Sequence, residues 1–421
     1  MPPCTKICIA AGGSSLQKCA APSFSPEVLS VPEDHPPRSG IRPRALSLPA
    51  SKIGEVAGPV FGDPDIVPLW FGEGDLATPA FICDAATAAM QRGETFYTFK
   101  LGIPQLRQAI ATYLSGLHAK PVRSERVAVT SSGMSAIMVT IQALIDPGDS
   151  VAVVSPVWPN IHAAIEVMGG QSREVGLLPT EDGGWRFDLQ RVIDACDHTT
   201  RAIFVNSPGN PTGWMMTSAE QQELLAFARQ RGLWLLADEV YSRIIYESRA
   251  APSFLDLAEP DDRVVVLNSF SKAWAMTGWR LGWLVGPSDL LAALDKLIEF
   301  NTSGSPTFLQ HAAVVAIEQG EPLVAEIVER CRVGRDLLIQ GLSRFPRVRV
   351  KPPAAAFYAF CRVDGLTDSL AFAHRLARQE KVGVAPGIAF GPAGEGYLRL
   401  CFAASTQRLT AALDRLQKVL S

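Results

Sequence analysis

Asn268-Ser269-Phe270-Ser271-Lys272-Ala273-Trp274-Ala275-Met276-Thr277-Gly278-Trp279-Arg280 sets one lysine among small hydroxyls in an apolar stretch and closes on an arginine. Desolvation disfavours the ammonium form, so a lysine in such a setting loses its charge more easily. A neutral amine can then attack a carbonyl and hold it as an imine. Ser269, Ser271 and Arg280 suit a phosphate, the arginine through a planar two-point grip. Taken alone, the stretch also reads as a surface lysine beside a Trp-rich core helix.

The flanking sequence narrows the choice. Arg201-Ala202-Ile203-Phe204 reads as a short buried strand that runs into the turn cluster Val205-Asn206-Ser207-Pro208-Gly209-Asn210-Pro211-Thr212-Gly213. That places Asn210 at the C-terminal edge of a strand, where open α/β sheets hold ligands. Thr217-Ser218-Ala219-Glu220 has the spacing of a capping box, and the helix it opens ends near Gly232. Leu233-Trp234-Leu235-Leu236-Ala237-Asp238-Glu239-Val240-Tyr241 is then a buried strand ending in an acid. An unpaired carboxylate there is costly; the plain alternative is a carboxylate satisfied by backbone donors at a helix start.

A lysine imine beside a phosphate grip is what pyridoxal phosphate (PLP) requires. In motif order, from about residue 45 to the C-terminus, the chain resembles the class I/II aminotransferase family of fold-type I PLP-dependent enzymes. The resemblance implies an α/β fold, a mostly parallel sheet flanked by helices in the aspartate aminotransferase-like manner, with a second, smaller α/β domain. Carried over residue by residue, Lys272 matches the lysine that forms the internal aldimine, and Asp238 the acid paired with the pyridine nitrogen. Asn210 and Tyr241 match the residues that hydrogen-bond the ring oxygen O3′; Ser269, Ser271 and Arg280 match the phosphate set. Lys272, Asp238 and Tyr241 are the catalytic candidates.

Other segments fill out the site that the resemblance implies. Val127-Ala128-Val129-Thr130 reads as a strand leading into Ser131-Ser132-Gly133-Met134-Ser135 and a helical pattern through Leu144, an arrangement that gathers free N–H groups and a helix dipole around an anion. Ser132, Gly133 and Met134 fall where the family binds the PLP phosphate, and Trp158 matches the ring stacked on the cofactor. Leu69-Trp70-Phe71-Gly72-Glu73-Gly74-Asp75 resembles the substrate loop, with Gly72 as a substrate contact, although the family more often has Pro where Gly74 stands. Tyr97 matches the tyrosine that reaches the neighbouring subunit's phosphate, which implies a homodimer with shared active sites; Asn301-Thr302-Ser303-Gly304-Ser305-Pro306 matches a stretch near the same phosphate. Arg399, in Gly396-Tyr397-Leu398-Arg399-Leu400-Cys401-Phe402, matches the arginine that holds the substrate α-carboxylate, with Asn210 beside it. From the strand pattern alone Arg399 reads as a solvent-facing residue on an edge strand. Ala354-Ala355-Ala356-Phe357-Tyr358 lacks the glycine usual before the Phe-Tyr pair.

The implied activity is amino transfer from an L-amino acid to a 2-oxo acid by a ping-pong route, with a PLP-dependent carbon–sulfur β-lyase as the alternative. A PLP-binding transcription regulator would need a DNA-binding module before the PLP domain, and residues 1–45 are too short and Pro-rich for one. Some relatives acting on dicarboxylic amino acids place a lysine near the position of Met134, so the lean is to a neutral or aromatic side chain; Lys100 or Lys120 could instead reach the site from either subunit.

Composition fits a soluble, cytoplasmic enzyme, and the resemblance implies a place in amino acid metabolism. The 421 residues carry 39 basic and 42 acidic side chains, giving a net charge of −3, so neither nucleic acid nor a membrane surface is the expected partner. No apolar run is long enough to span a bilayer. The 8 cysteines are scattered without a Cys-x-x-Cys pair, which points to free thiols in a reducing compartment, and the histidine spacing predicts no metal site. Residues 1–45 read as a disordered or loosely attached extension, with Ile7-Cys8-Ile9-Ala10-Ala11 too short for a secretory segment. Residues 66–300 read as the large PLP-binding domain, and 46–65 with 301–421 as the smaller one. Helices are expected over 323–342 and 409–420, and strands at 348–350 and 359–361.

Overall fold

The computed structural model describes residues 40–421; the expectations placed on residues 1–39, including Ile7-Cys8-Ile9 and the cysteines at 4, 8 and 19, lie outside them. Residues Arg44–Ser421 form one compact unit. Its centre is a seven-stranded sheet in the order Val127–Thr130, Gly282–Val285, Val264–Ser269, Trp234–Asp238, Thr200–Asn206, Ser150–Ser155, Gln171–Gly176. Only Gly282–Val285 runs antiparallel to its neighbours.

Both faces of this sheet are buried, which is why its strands read as near-continuous apolar runs rather than alternating ones. In Ser150–Ser155, Val151 and Val153 pack on one side with Ile137, Ile141, Ile161, Ile165 and Leu294. Ala152 and Val154 pack on the other with Leu224, Leu225 and Phe270. Helices supply each face. Ser218–Arg231 starts at the expected capping box, Thr217 accepting from Glu220 N while the Glu220 carboxylate accepts from Thr217 N. It stops at Gly232, whose φ of +64° is the left-handed conformation that glycine adopts without cost.

Strand register gathers the chemistry at one edge. Asn206 lies opposite Asp238, Asp238 opposite Leu267, and Gly282 sits between Ser269 and Thr130. The C-terminal ends of the parallel strands and the start of the antiparallel one therefore line up, as open α/β sheets do around ligands.

A four-stranded antiparallel sheet, in the order Val348–Arg349, Tyr358–Val363, Tyr397–Cys401, Ala385–Pro386, forms the smaller α/β part with the helices Glu321–Leu342, Ser369–Gln379 and Thr406–Leu420. The edge-strand reading of Arg399 is corrected here. Tyr397–Cys401 is a central strand, with Arg399 opposite Phe360 on one side and Ala385 on the other, and the side chain is 1 % exposed. Among the described residues no helix is long and apolar enough to cross a membrane, and Cys83, Cys196, Cys331, Cys361 and Cys401 are free thiols.

Candidate active site

Asp238 and Glu239 follow one another at the end of Trp234–Asp238, both buried, yet they face different surroundings. Glu239 is closed within the protein: Ser253 Oγ donates to its Oε2 at 2.7 Å and Phe254 N to its Oε1 at 3.1 Å. Burial raises its carboxyl to about 8. Asp238 lines a cavity of about 390 Å³ and takes a 3.3 Å hydrogen bond from Val240 N. Burial pushes its carboxyl up to about 7, against the pull of that N–H and of the Lys272 charge. The carboxylate satisfied by backbone and hydroxyl donors is thus Glu239, and the acid turned to the cavity is Asp238.

Lys272 stands on the single helical turn Phe270–Ala273, whose N-cap is Ser269. Behind it Phe270, Trp274 and Trp283 pack ring against ring, with Phe270 and Trp283 centroids 4.8 Å apart. Its Nζ donates to Gly72 O at 2.6 Å and lies 5.8 Å from the centre of the Tyr241 ring. Burial lowers the amine to about 8, aided by the nearby Arg399 charge. An amine so placed is neutral in a useful fraction of molecules near neutral pH, as a nucleophile or base requires.

At one end of the cavity the groups suit a phosphate. Ser132 caps the helix Gly133–Leu144, accepting from Ser135 N at 2.9 Å, so the first free N–H groups of that helix lie beside Gly133 and Met134. Ser269 Oγ sits 2.9 Å from Ser271 Oγ and accepts from Ser271 N at 3.1 Å. Arg280, exposed and with φ +52°, lines the cavity beside them. Gly282 permits this convergence, since a Cβ there would come within 2.5 Å of Gly133 N.

At the other end is Arg399. Its Nη1 donates to Asn210 Oδ1 at 3.0 Å and its Nη2 to Trp70 O. Its guanidinium stacks over Tyr358 at 4.6 Å and Phe390 at 5.0 Å, while Nε is buried without a partner. A buried guanidinium lining the cavity suits a carboxylate, which satisfies two N–H groups at once. Asn210 is held in turn by Asn206, whose Oδ1 accepts from Asn210 N at 2.7 Å and whose Nδ2 donates to Asp238 O at 3.0 Å.

One cavity thus brings together Gly72, Gly133, Met134, Trp158, Asn210, Asp238, Tyr241, Ser269, Ser271, Lys272, Arg280 and Arg399. Ser132 lies just behind this lining, buried at its cap. Tyr97 is elsewhere, 92 % exposed beside Phe96 and the 302–307 segment. Lys100 and Lys120 are engaged away from the cavity, Lys100 with Glu299 and Lys120 with Glu259, each at 2.6 Å. The sequence reading missed Asn206, Tyr358, Ser51, Ile53 and Phe71, all of which line the cavity. Asn206 had a signal, since it sits in the same turn cluster as Asn210. Tyr358 had one too, in the Phe357-Tyr358 pair.

The cavity thus sets a buried lysine and a buried acid among small hydroxyls, a helix N-terminus and two arginines. Residues 65–416 match the family described as aminotransferase class I and II. The chain belongs to that family and is an aminotransferase. It is 34% identical to the aspartate aminotransferase of Thermotoga maritima over 357 residues, covering 85% of this chain and 92% of the relative. With the aromatic-amino-acid aminotransferase 2 of Thermococcus litoralis it shares 33% over 366 residues, 85% and 92% of the two chains. Among solved structures, the aspartate aminotransferase of Thermus thermophilus with maleate superposes with a TM-score of 0.84 at 32% identity, covering 91% of this chain and all of that one.

Proposed function

We propose that Lys272 and Asp238, brought onto one cavity of about 390 Å³, hold PLP for transamination. The groups present fit it: Ser132, Gly133, Met134, Ser269, Ser271 and Arg280 for the phosphate, Trp158 for the ring face, Asn210 and Tyr241 for the phenolic oxygen, Asp238 for the pyridine nitrogen and Lys272 for the carbonyl carbon. The buried Asp238 carboxyl supports this most directly, because a cationic ring nitrogen would balance a charge that burial otherwise resists. Bound PLP supplies an electron-accepting ring for the negative charge left at the substrate Cα.

The protein's own groups do the rest. Arg399, lining the cavity between Tyr358 and Phe390, fixes the α-carboxylate of the amino acid through its guanidinium N–H groups. Lys272 Nζ, its charged form disfavoured by burial, removes the Cα proton and returns it on the far side of the exchange. Phe71, Trp70 and Tyr358 limit water around the reacting atoms.

The cavity also favours a class of side chain. Among the described residues its cations are Lys272, Arg280 and Arg399, each already assigned, while Ile53, Phe71, Met134 and Ile137 offer apolar surface. A second carboxylate would be desolvated there without a partner, at a cost of several kcal/mol on the order expected for an unpaired buried charge. Neutral and aromatic amino acids are therefore the proposed donors, and the aspartate in the relatives' names is left to them. Initial rates with phenylalanine, leucine, aspartate and glutamate as donors check this. Phenylalanine and leucine are expected to exceed the dicarboxylic donors by at least about tenfold in kcat/KM; aspartate or glutamate as the fastest donor by a wide margin would overturn it.

The working unit in this reading is a cytoplasmic homodimer. Phe96, Tyr97, Phe99 and Phe300 are all more than half exposed, and large rings in such a group mark a surface that pairs with another chain. Residues 66–300 serve as the PLP-binding domain, and 46–65 with 301–421 as the smaller domain.

A further inference from the structure

Tyr241 and Tyr358 place their hydroxyl oxygens 2.6 Å apart. Both rings are buried, at 3 % and 0 % exposure, and both line the cavity that holds Lys272. Each phenol has one hydrogen and two lone pairs, so in a pair only one can donate to the other. Burial raises both phenols above their ordinary range, so both keep their protons near neutral pH.

The surroundings fix Tyr358 more firmly than Tyr241. Its ring lies against the Arg399 guanidinium at 4.6 Å, and its hydroxyl fills the space beside Gly72, where a Cβ would come within 2.2 Å. Tyr241 packs edge-on to Phe357 and Tyr358, with Lys272 Nζ on its ring. In PLP the phenolic oxygen is next to the carbon that a lysine holds, so an acceptor at Lys272 presents itself to the Tyr241 hydroxyl.

Resting on the PLP reading above, we propose that Tyr358 is a positioning residue: its hydroxyl donates to Tyr241 and so turns the Tyr241 O–H towards Lys272 and the acceptor held there. A hydrogen-bonded chain of two phenols polarises the terminal O–H, which then donates more strongly. Donation to the phenolic oxygen stabilises its ionised form, so the proton shared between that oxygen and the lysine nitrogen leaves at lower pH.

Tyr358→Phe keeps the ring on Arg399 and removes only the hydroxyl. The full-length PLP-loaded protein is titrated with pH and followed by the visible absorbance that depends on Lys272, alongside Tyr241→Phe and the double variant. Tyr358→Phe is expected to raise the midpoint by about half a pH unit to one unit, Tyr241→Phe to raise it further, and the double variant to match Tyr241→Phe alone. An unmoved midpoint in Tyr358→Phe, or two shifts that add in the double variant, would overturn the proposal. A Tyr241→Phe protein that titrates like the wild type would instead overturn the placement of Tyr241 beside the cofactor. Absence of any Lys272-dependent absorbance would overturn the PLP reading itself.

Discussion

Lys272→Ala is expected to reduce transamination by at least about 10⁴-fold at saturating PLP and substrate, since proton transfer by a positioned base alone contributes 10²–10⁴-fold and the covalent hold on the cofactor is lost with it. Among the described residues no other lysine lines the cavity, and Lys100 and Lys120 are tied to Glu299 and Glu259. The Gly72 carbonyl that accepts from Nζ at 2.6 Å is a hydrogen-bond acceptor only and cannot replace an amine. Lys272→Arg is expected to be as impaired, because a guanidinium stays charged at any accessible pH. Keto acid formation measured over long incubations checks both variants; activity within tenfold of the wild type would remove Lys272 from the chemistry.

Asp238→Asn carries the second large effect, and its two readouts move in opposite directions. Activity is expected to fall by about 10²–10³-fold, the range for removing one preorganised charge from a reacting site. Stability of the PLP-free protein is expected to rise at pH 8. Asp238 binds its proton more tightly in the folded chain, where its carboxyl titrates at about 7, than in the unfolded one at 3.8. Stability therefore falls as pH climbs between those values, and above them the folded state bears a cost on the order of 4 kcal/mol. An amide of the same shape keeps the bond from Val240 N and carries no such cost. Denaturant unfolding at pH 4 and pH 8 checks the sign: the variant should be the more stable at pH 8, with little difference at pH 4. A variant less stable than wild type at pH 8 would mean that Asp238 holds the fold together rather than serving the site.

Asp238 stood out in the sequence because it closes a buried apolar run, where a carboxylate taken out of water needs a partner. Local signals were equally plain at Thr217 and Glu220, which form their capping box, and at Gly232, which ends the helix. The helix Glu321–Leu342 and the strands Tyr358–Val363 and Tyr397–Cys401 lie where periodicity put them.

Contacts between distant segments were not legible. Period-two alternation in Tyr397–Cys401 says which side chains share a face, but not that Tyr358–Val363 and Ala385–Pro386 flank the strand and bury Arg399. The Phe357-Tyr358 pair marked Tyr358 as notable, but its contact with Tyr241, 117 positions away in sequence, was not legible. Ser51 and Ile53, beside and on the helix Lys52–Ala57, reach the cavity through packing on Ser369–Gln379 and Ala385–Pro386. Nothing local to residues 51–53 marks that destination. Tyr97 is 92 % exposed on this chain, and its part in the site belongs to the proposed homodimer.

The central claim is tested most directly by mixing PLP-loaded protein with phenylalanine and no keto acid, then counting products per site. The account predicts one phenylpyruvate per site, loss of the Lys272-dependent absorbance, and a halt until a 2-oxo acid is added. Persistent absorbance, with continuing release of pyruvate and ammonia from a sulfur amino acid and no need for an acceptor, would contradict it and establish β-elimination instead.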